Sequence, residues 1–142
     1  MSIWKEIAEQ QDPNDVPMCF ACGRDNAIGL KLEFHRDGES VKAEFTPSEQ
    51  YQGWPGVVHG GIICTMLDEV IGYAAGFQGL YAVTAKMDVQ YKKPAMVGKR
   101  LLLSARVSSV SGRSVWSEGE LRDEDGTLVA EAQAELRIIK TE

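Results

Sequence analysis

The clearest hydrophobic pattern lies near the end of the chain. Leu128, Ala130, Ala132, Ala134, Leu136 and Ile138 alternate with Val129, Glu131, Gln133, Glu135 and Arg137, the period-two signature of a strand with one buried face. Shorter alternations precede it. Leu30, Leu32 and Phe34 oppose Lys31, Glu33 and His35, and Val41, Ala43 and Phe45 oppose Lys42 and Glu44. Ala85, Met87, Val89 and Tyr91 form an apolar row, with Thr84, Lys86, Asp88 and Gln90 on the other face. Leu101, Leu103, Ala105 and Val107 make the next row. Val115 and Leu121 then point inward from a strand whose Trp116, Glu118 and Glu120 point outward. Asp37-Gly38, Ser111-Gly112-Arg113 and Asp123-Glu124-Asp125-Gly126 carry hairpin-turn residues, so neighbouring strands are predicted to run antiparallel.

One stretch departs from the period of two. From Val58 to Gly76, VHGGIICTMLDEVIGYAAG, apolar residues recur at Ile63, Met66, Leu67, Val70, Ile71 and Ala74. That spacing predicts a helix beginning within two residues of Gly60, ending near Ala75, with one well-filled face. A shorter helix is predicted over Ile3 to Gln10, ended by Asp12-Pro13-Asn14-Asp15. Met18 to Gly29 reads as an irregular connection. The order strand, strand, long helix, then four strands defines an α+β layer fold, one antiparallel sheet of about six strands covered by one helix. Residues 1–142 read as a single domain, with 1–29 as its helical and irregular lead-in. Its outer strands leave open edges, so pairing with a second copy is expected.

The long helix has a second stripe. Gly61, Thr65, Asp68 and Gly72 follow at steps of three or four and share a face of small residues around one acid. The N–H groups of the first turn lack partners and carry partial positive charge. Gly60 and Gly61 leave them open to a carbonyl oxygen, as in an oxyanion hole. The same features also suit a buried helix with a Gly-rich start and an acid that caps or pairs with a neighbour. Tyr51 and Trp54, in the loop before His59, either wall a pocket or cover the core.

The chain has 142 residues and a net charge of -6. Such a charge argues against a general nucleic-acid binder. No apolar run approaches the ~20 residues of a membrane span, and the polar N-terminal stretch lacks a signal-peptide centre. A cytoplasmic location is expected. Of the three cysteines, Cys19 and Cys22 form a C-x-x-C. No second C-x-x-C or His pair completes a zinc set, so no metal is expected. Cys64, in mid-helix, reads as core.

Four segments carry a family resemblance over roughly Cys19 to Ile139: CFACGRDNAIGLKL, GWPGVVHGG, GIICTMLDE and VTAKMDVQYKKPA. The chain resembles the hotdog-fold acyl-CoA thioesterases, in the branch of the phenylacetate-pathway and 4-hydroxybenzoyl-CoA thioesterases. The resemblance implies a central helix wrapped by a curved antiparallel sheet. It implies homodimers joined sheet to sheet, often paired into tetramers, with active sites at the dimer interface. It implies hydrolysis of an acyl- or aryl-acyl-CoA to free acid and CoA.

By position, the resemblance makes Asp68 the catalytic acid and Gly60 the N–H that polarises the thioester carbonyl. Thr84 matches a hydroxyl residue that assists in some members by reaching across the dimer. Where some members carry an Asn, six residues before the His, this chain has Gly53; Gln52 is its polar neighbour. His59 is read first as shaping the turn and only second as moving a proton. Gly61 and Trp54 are candidates for substrate contact. Lys92 and Lys93, with Lys99 and Arg100 nearby, are candidates for the coenzyme phosphates. Glu69, ~100° around the helix from Asp68, is expected to be solvated or paired at an interface. Such a hydrolysis calls for no cofactor: a thioester needs a positioned water, a base and a polarised carbonyl. Asp68 suits either the base or a direct nucleophile. A non-catalytic acyl-CoA binder on the same fold is the alternative.

Overall fold

The computed structural model describes residues 3–142. A short helix, α1 (Ile3–Gln10), leads into an irregular segment. Two strands follow, β1 (His35–Asp37) and β2 (Ser40–Phe45), then the long helix α2 (Gly60–Gly76). Four longer strands complete the chain: β3 (Leu80–Tyr91), β4 (Leu101–Ser111), β5 (Ser114–Asp123) and β6 (Leu128–Thr141). The sheet is six-stranded in the order β1-β2-β4-β5-β6-β3, and every neighbouring pair is antiparallel.

The apolar stripe of α2 and the inner face of the sheet make the core. Met66, Leu67, Val70 and Ile71 are wholly buried, against Val41, Leu103, Val115, Leu121 and Leu136. Glycine at position 119 allows the closest approach. A Cβ there would lie 3.0 Å from Cγ1 of Ile71, so β5 presents bare backbone where the helix leans in. Gly119→Val overfills this contact and is expected to cost about 1–3 kcal/mol, read as a lower urea midpoint at unchanged slope.

Two expectations need correction. The alternation at Leu30, Leu32 and Phe34 is real in burial, but the strand begins only at His35. Leu30 and Leu32 instead donate backbone hydrogen bonds to Phe20 and Ala21, 2.9 Å each, and Lys31 sits at a φ of 55°. The Cys-rich loop thus claims the donors a ladder would use. The apolar face of α1 is mostly uncovered: Ala8 is buried, whereas Ile3, Trp4 and Ile7 are exposed.

The second correction concerns β3. Thr84 pairs with Leu136 and Lys86 with Glu135, leaving Ala85 as an extra, bulged residue. A bulge reverses which side chains face in. Thr84 is thereby turned from the outer row of Lys86, Asp88 and Gln90 toward the helix. Periodicity alone could not show this, because the signal assumes an unbroken ladder.

Candidate active site

The loop ahead of α2 is tied down on both sides. Val58 N–H donates to Ala95 O and His59 N–H to Tyr51 O, both at 2.8 Å. His59 is the N-cap residue of α2, and its Nδ1 accepts the Gly61 N–H at 2.8 Å. That bond uses Nδ1 as an acceptor and satisfies one of the open first-turn donors. Gly61 therefore contributes shape and no free N–H. The Gly60 N–H has no acceptor among the described residues, and it carries the positive end of the helix dipole.

Trp54 is 83% exposed. With Gly53, Pro55, Val57, Val58, His59 and Gly60 it lines a groove of about 410 Å³ at this end of the helix. Tyr51 belongs to the core's cover, edge-on to Phe45 with its hydroxyl on Gly29 O at 3.2 Å. Gln52 uses its side-chain oxygen to accept the Gly56 N–H at 3.1 Å. A Cβ at Gly53 would come within 3.3–3.4 Å of His59, so an Asn there needs His59 to give way.

Two turns further along α2, Asp68 is exposed and accepts the Thr84 hydroxyl at 2.5 Å. Both residues belong to one chain, so the hydroxyl needs no second copy to reach the acid. The bulge at Ala85 is what aims it there. Gly61, Thr65, Asp68 and Gly72 lie on the side of α2 turned away from the buried stripe.

Tyr91 is the residue the sequence reading missed. Its hydroxyl donates to Gly60 O at 3.0 Å and lies 2.9 Å from Cys64 Sγ. The Cys64 bond, then burial, pushes the Tyr91 hydroxyl up to about 12. Cys64 is half-buried, where core was expected. Tyr91 had been visible only as the last apolar member of its strand; that its polar tip reaches the helix start follows from β3 passing beside α2.

The lysines are less available than their clustering implied. Lys93 Nζ lies 2.7 Å from Asp123 Oδ2. That bond, then the Thr127 N–H, holds the Asp123 carboxyl below the usual carboxylate range. Lys92 is 3.8 Å from Glu131 in an exposed pair, a weak interaction. Arg100 lies 3.6 Å from Glu44.

Glu69 is half-buried and paired within its own chain rather than solvated. Burial raises its pKa, and Cys19 Sγ donates to its Oε2 at 3.2 Å. Burial likewise pushes the Cys22 thiol up to about 12. Among the described residues no helix is long and apolar enough to cross a membrane.

One long helix laid against a single antiparallel sheet, with an open Gly60 N–H at its start and an acid exposed two turns on, is the hotdog architecture. The profile of the thioesterase superfamily matches residues 55–130, and the chain belongs to that family. A crystal structure of a thioesterase superfamily protein superposes with a TM-score of 0.80 at 30% identity, covering 84% of this chain and 62% of the other. The smu.793 protein of Streptococcus mutans, bound to acetyl CoA, gives 0.73 at 20% identity, covering 78% and 90%. The acyl-coenzyme A thioesterase THEM4 of Xenopus laevis is 32% identical over 85 residues, 60% of this chain and 38% of that protein. The chain spans half or less of the length of this relative and of a similarly matched Schizosaccharomyces pombe protein.

Proposed function

We propose that this protein is an acyl-CoA thioesterase that hydrolyses an acyl- or aryl-acyl-CoA to free acid and CoA. The observation that carries the reading is that the chain presents both groups the reaction needs, a free Gly60 N–H and an exposed, Thr84-bound Asp68. Water loses a proton to the Asp68 carboxylate as its oxygen attacks the thioester carbon. The developing oxyanion takes the Gly60 N–H. Collapse breaks the carbon–sulfur bond and expels the coenzyme thiolate. Thr84 orients the carboxylate by its hydroxyl. His59 shapes the turn and moves no proton. Trp54 offers an apolar wall beside Gly60, and Lys92 is the better placed of the two lysines for coenzyme phosphate.

The two halves are separated by eight residues of helix, about 12 Å at 1.5 Å per residue. A base and a polarising N–H must both come within about 3 Å of the reacting group. One chain therefore cannot apply both to one thioester. The homodimer implied by the family resemblance resolves this: Gly60 of one copy meets Asp68 and Thr84 of the other. β3 ends the sheet with one unpaired side, and α2 keeps a face of small residues, both suited to an isologous pairing. The three cysteines, all free in the structure, accord with a cytoplasmic setting.

Thiol release from a panel of short, medium, long and aromatic acyl-CoAs tests the activity. At least one is expected to turn over catalytically. Binding of several with turnover of none would instead support an acyl-CoA-binding protein.

A further inference from the structure

The loop from residue 17 to residue 29 brings two thiols against a third group that lies far from them along the chain. Cys19 Sγ, Cys22 Sγ and a Glu69 carboxylate oxygen all lie within 4.8 Å of one another. We propose that Cys19, Cys22 and Glu69 hold one thiophilic divalent cation of the zinc class, which clips this loop to α2. The expectation of no metal rested on the absence of a second C-x-x-C or His pair, which left no third ligand in view. The fold supplies it from the middle of α2.

The spacing suits the ion. Tetrahedral zinc, with bonds of ~2.3 Å to sulfur and ~2.1 Å to oxygen, separates neighbouring ligand atoms by about 3.6–3.8 Å. Cys19 Sγ and Glu69 Oε2 are 3.2 Å apart, so small side-chain rotations open the site without moving backbone. Two sulfurs favour zinc over magnesium or calcium.

Two hydrogen-bond donors already reach the sulfurs. Cys22 N–H donates to Cys19 Sγ at 3.4 Å, and the Tyr73 hydroxyl donates to Cys22 Sγ at 3.2 Å. Such outer donors orient metal ligands and stabilise their charge. The turn is rigid before any ion arrives. A Cβ at Gly23 would fall 2.4–2.6 Å from backbone atoms of Pro17 and Cys19, so only glycine closes the C-x-x-C turn this tightly. Among the described residues no Lys, Arg or His pairs with Glu69. A half-buried carboxylate beside two thiols thus lacks the cation that would repay its desolvation. Cys19, Cys22, Glu69 and Tyr73 also line a cavity of about 380 Å³, roomy enough to supply a water as the fourth ligand.

The test uses the full chain, purified under reductant without chelator, its free thiols counted first. Elemental analysis is expected to give about one zinc per chain. After chelation, added Co(II) is expected to give a thiolate-to-cobalt charge-transfer band. The band is lost in Cys19→Ser/Cys22→Ser, and Glu69→Gln weakens cobalt affinity by at least about tenfold. Asp68→Asn, one residue away on another face, keeps full metal. If the double variant does not fold, melting curves decide with Glu69→Gln: zinc raises the midpoint of the parent and does so much less for the variant. The proposal is overturned if fully reduced parent takes up no stoichiometric zinc or cobalt, or if Glu69→Gln binds either as tightly as the parent. None of these readouts depends on thioester turnover, so failure here leaves the proposed activity standing, and failure of that activity leaves the metal measurable.

Discussion

Asp68→Asn is expected to fold normally and to lose thioester hydrolysis by ~10²-fold or more, the range for removing a general base. The amide keeps the size of the side chain and still accepts the Thr84 hydroxyl, so the local geometry survives. Asp68 is exposed and supports no core contact, so melting behaviour should not change. Acyl-CoA binding should persist, because the contacts proposed for the acyl group and coenzyme, Trp54 and Lys92, lie elsewhere. Glu69→Gln should cost much less, since Glu69 turns into the Cys19 cluster and away from Thr84. Steady-state rates on the two variants, with melting curves beside them, check this. Equal losses, or an Asp68→Asn as active as the parent, would place the base elsewhere.

Gly60→Pro is expected to cost ~10²–10³-fold in turnover, the range for losing one oxyanion donor, again in a folded protein. Proline removes the one N–H assigned to the carbonyl. The helix tolerates it, because Gly60 is the first helical residue after the His59 cap, where proline is favoured. His59 already has a φ of -59° and a ψ of 135°, a conformation that a residue before proline adopts without strain. A Cβ at position 60 would meet Tyr91 only at ordinary contact distances of 3.5–3.6 Å. The comparison with Gly60→Ala separates donor loss from bulk: alanine keeps the N–H and should retain most of the activity.

The helix and the sheet were legible because their periods are strong and local. The predicted apolar stripe of Ile63, Met66, Leu67, Val70, Ile71 and Ala74 is the buried face observed. The hairpin turns also stood out, since Gly38, Gly112 and Gly126 all take positive φ. What failed depended on registers and on distant partners. Thr84 looked outward because one bulged residue, Ala85, has no signature in the alternation. Leu30 and Leu32 read as strand because burial alternates there, while their backbone donors go to a loop. Glu69 read as solvated or paired at an interface because its partners, Cys19 and Cys22, lie far away along the chain. Lys93 read as available because its claim by Asp123 closes only when β5 folds.

The central claim is that each site takes its polarising N–H from one chain and its acid from another. Co-expression of the Asp68→Asn and Gly60→Pro chains, with the mixed dimers isolated on two affinity tags, tests it most directly. In a mixed dimer one interface site carries both lesions and the other carries neither. The mixed dimer is therefore expected to show about half the parental activity, two-fold symmetry giving two equal sites, although each parent variant alone is nearly inactive. A mixed dimer as inactive as its two parents would mean that both groups act within one chain, and would contradict the composite site.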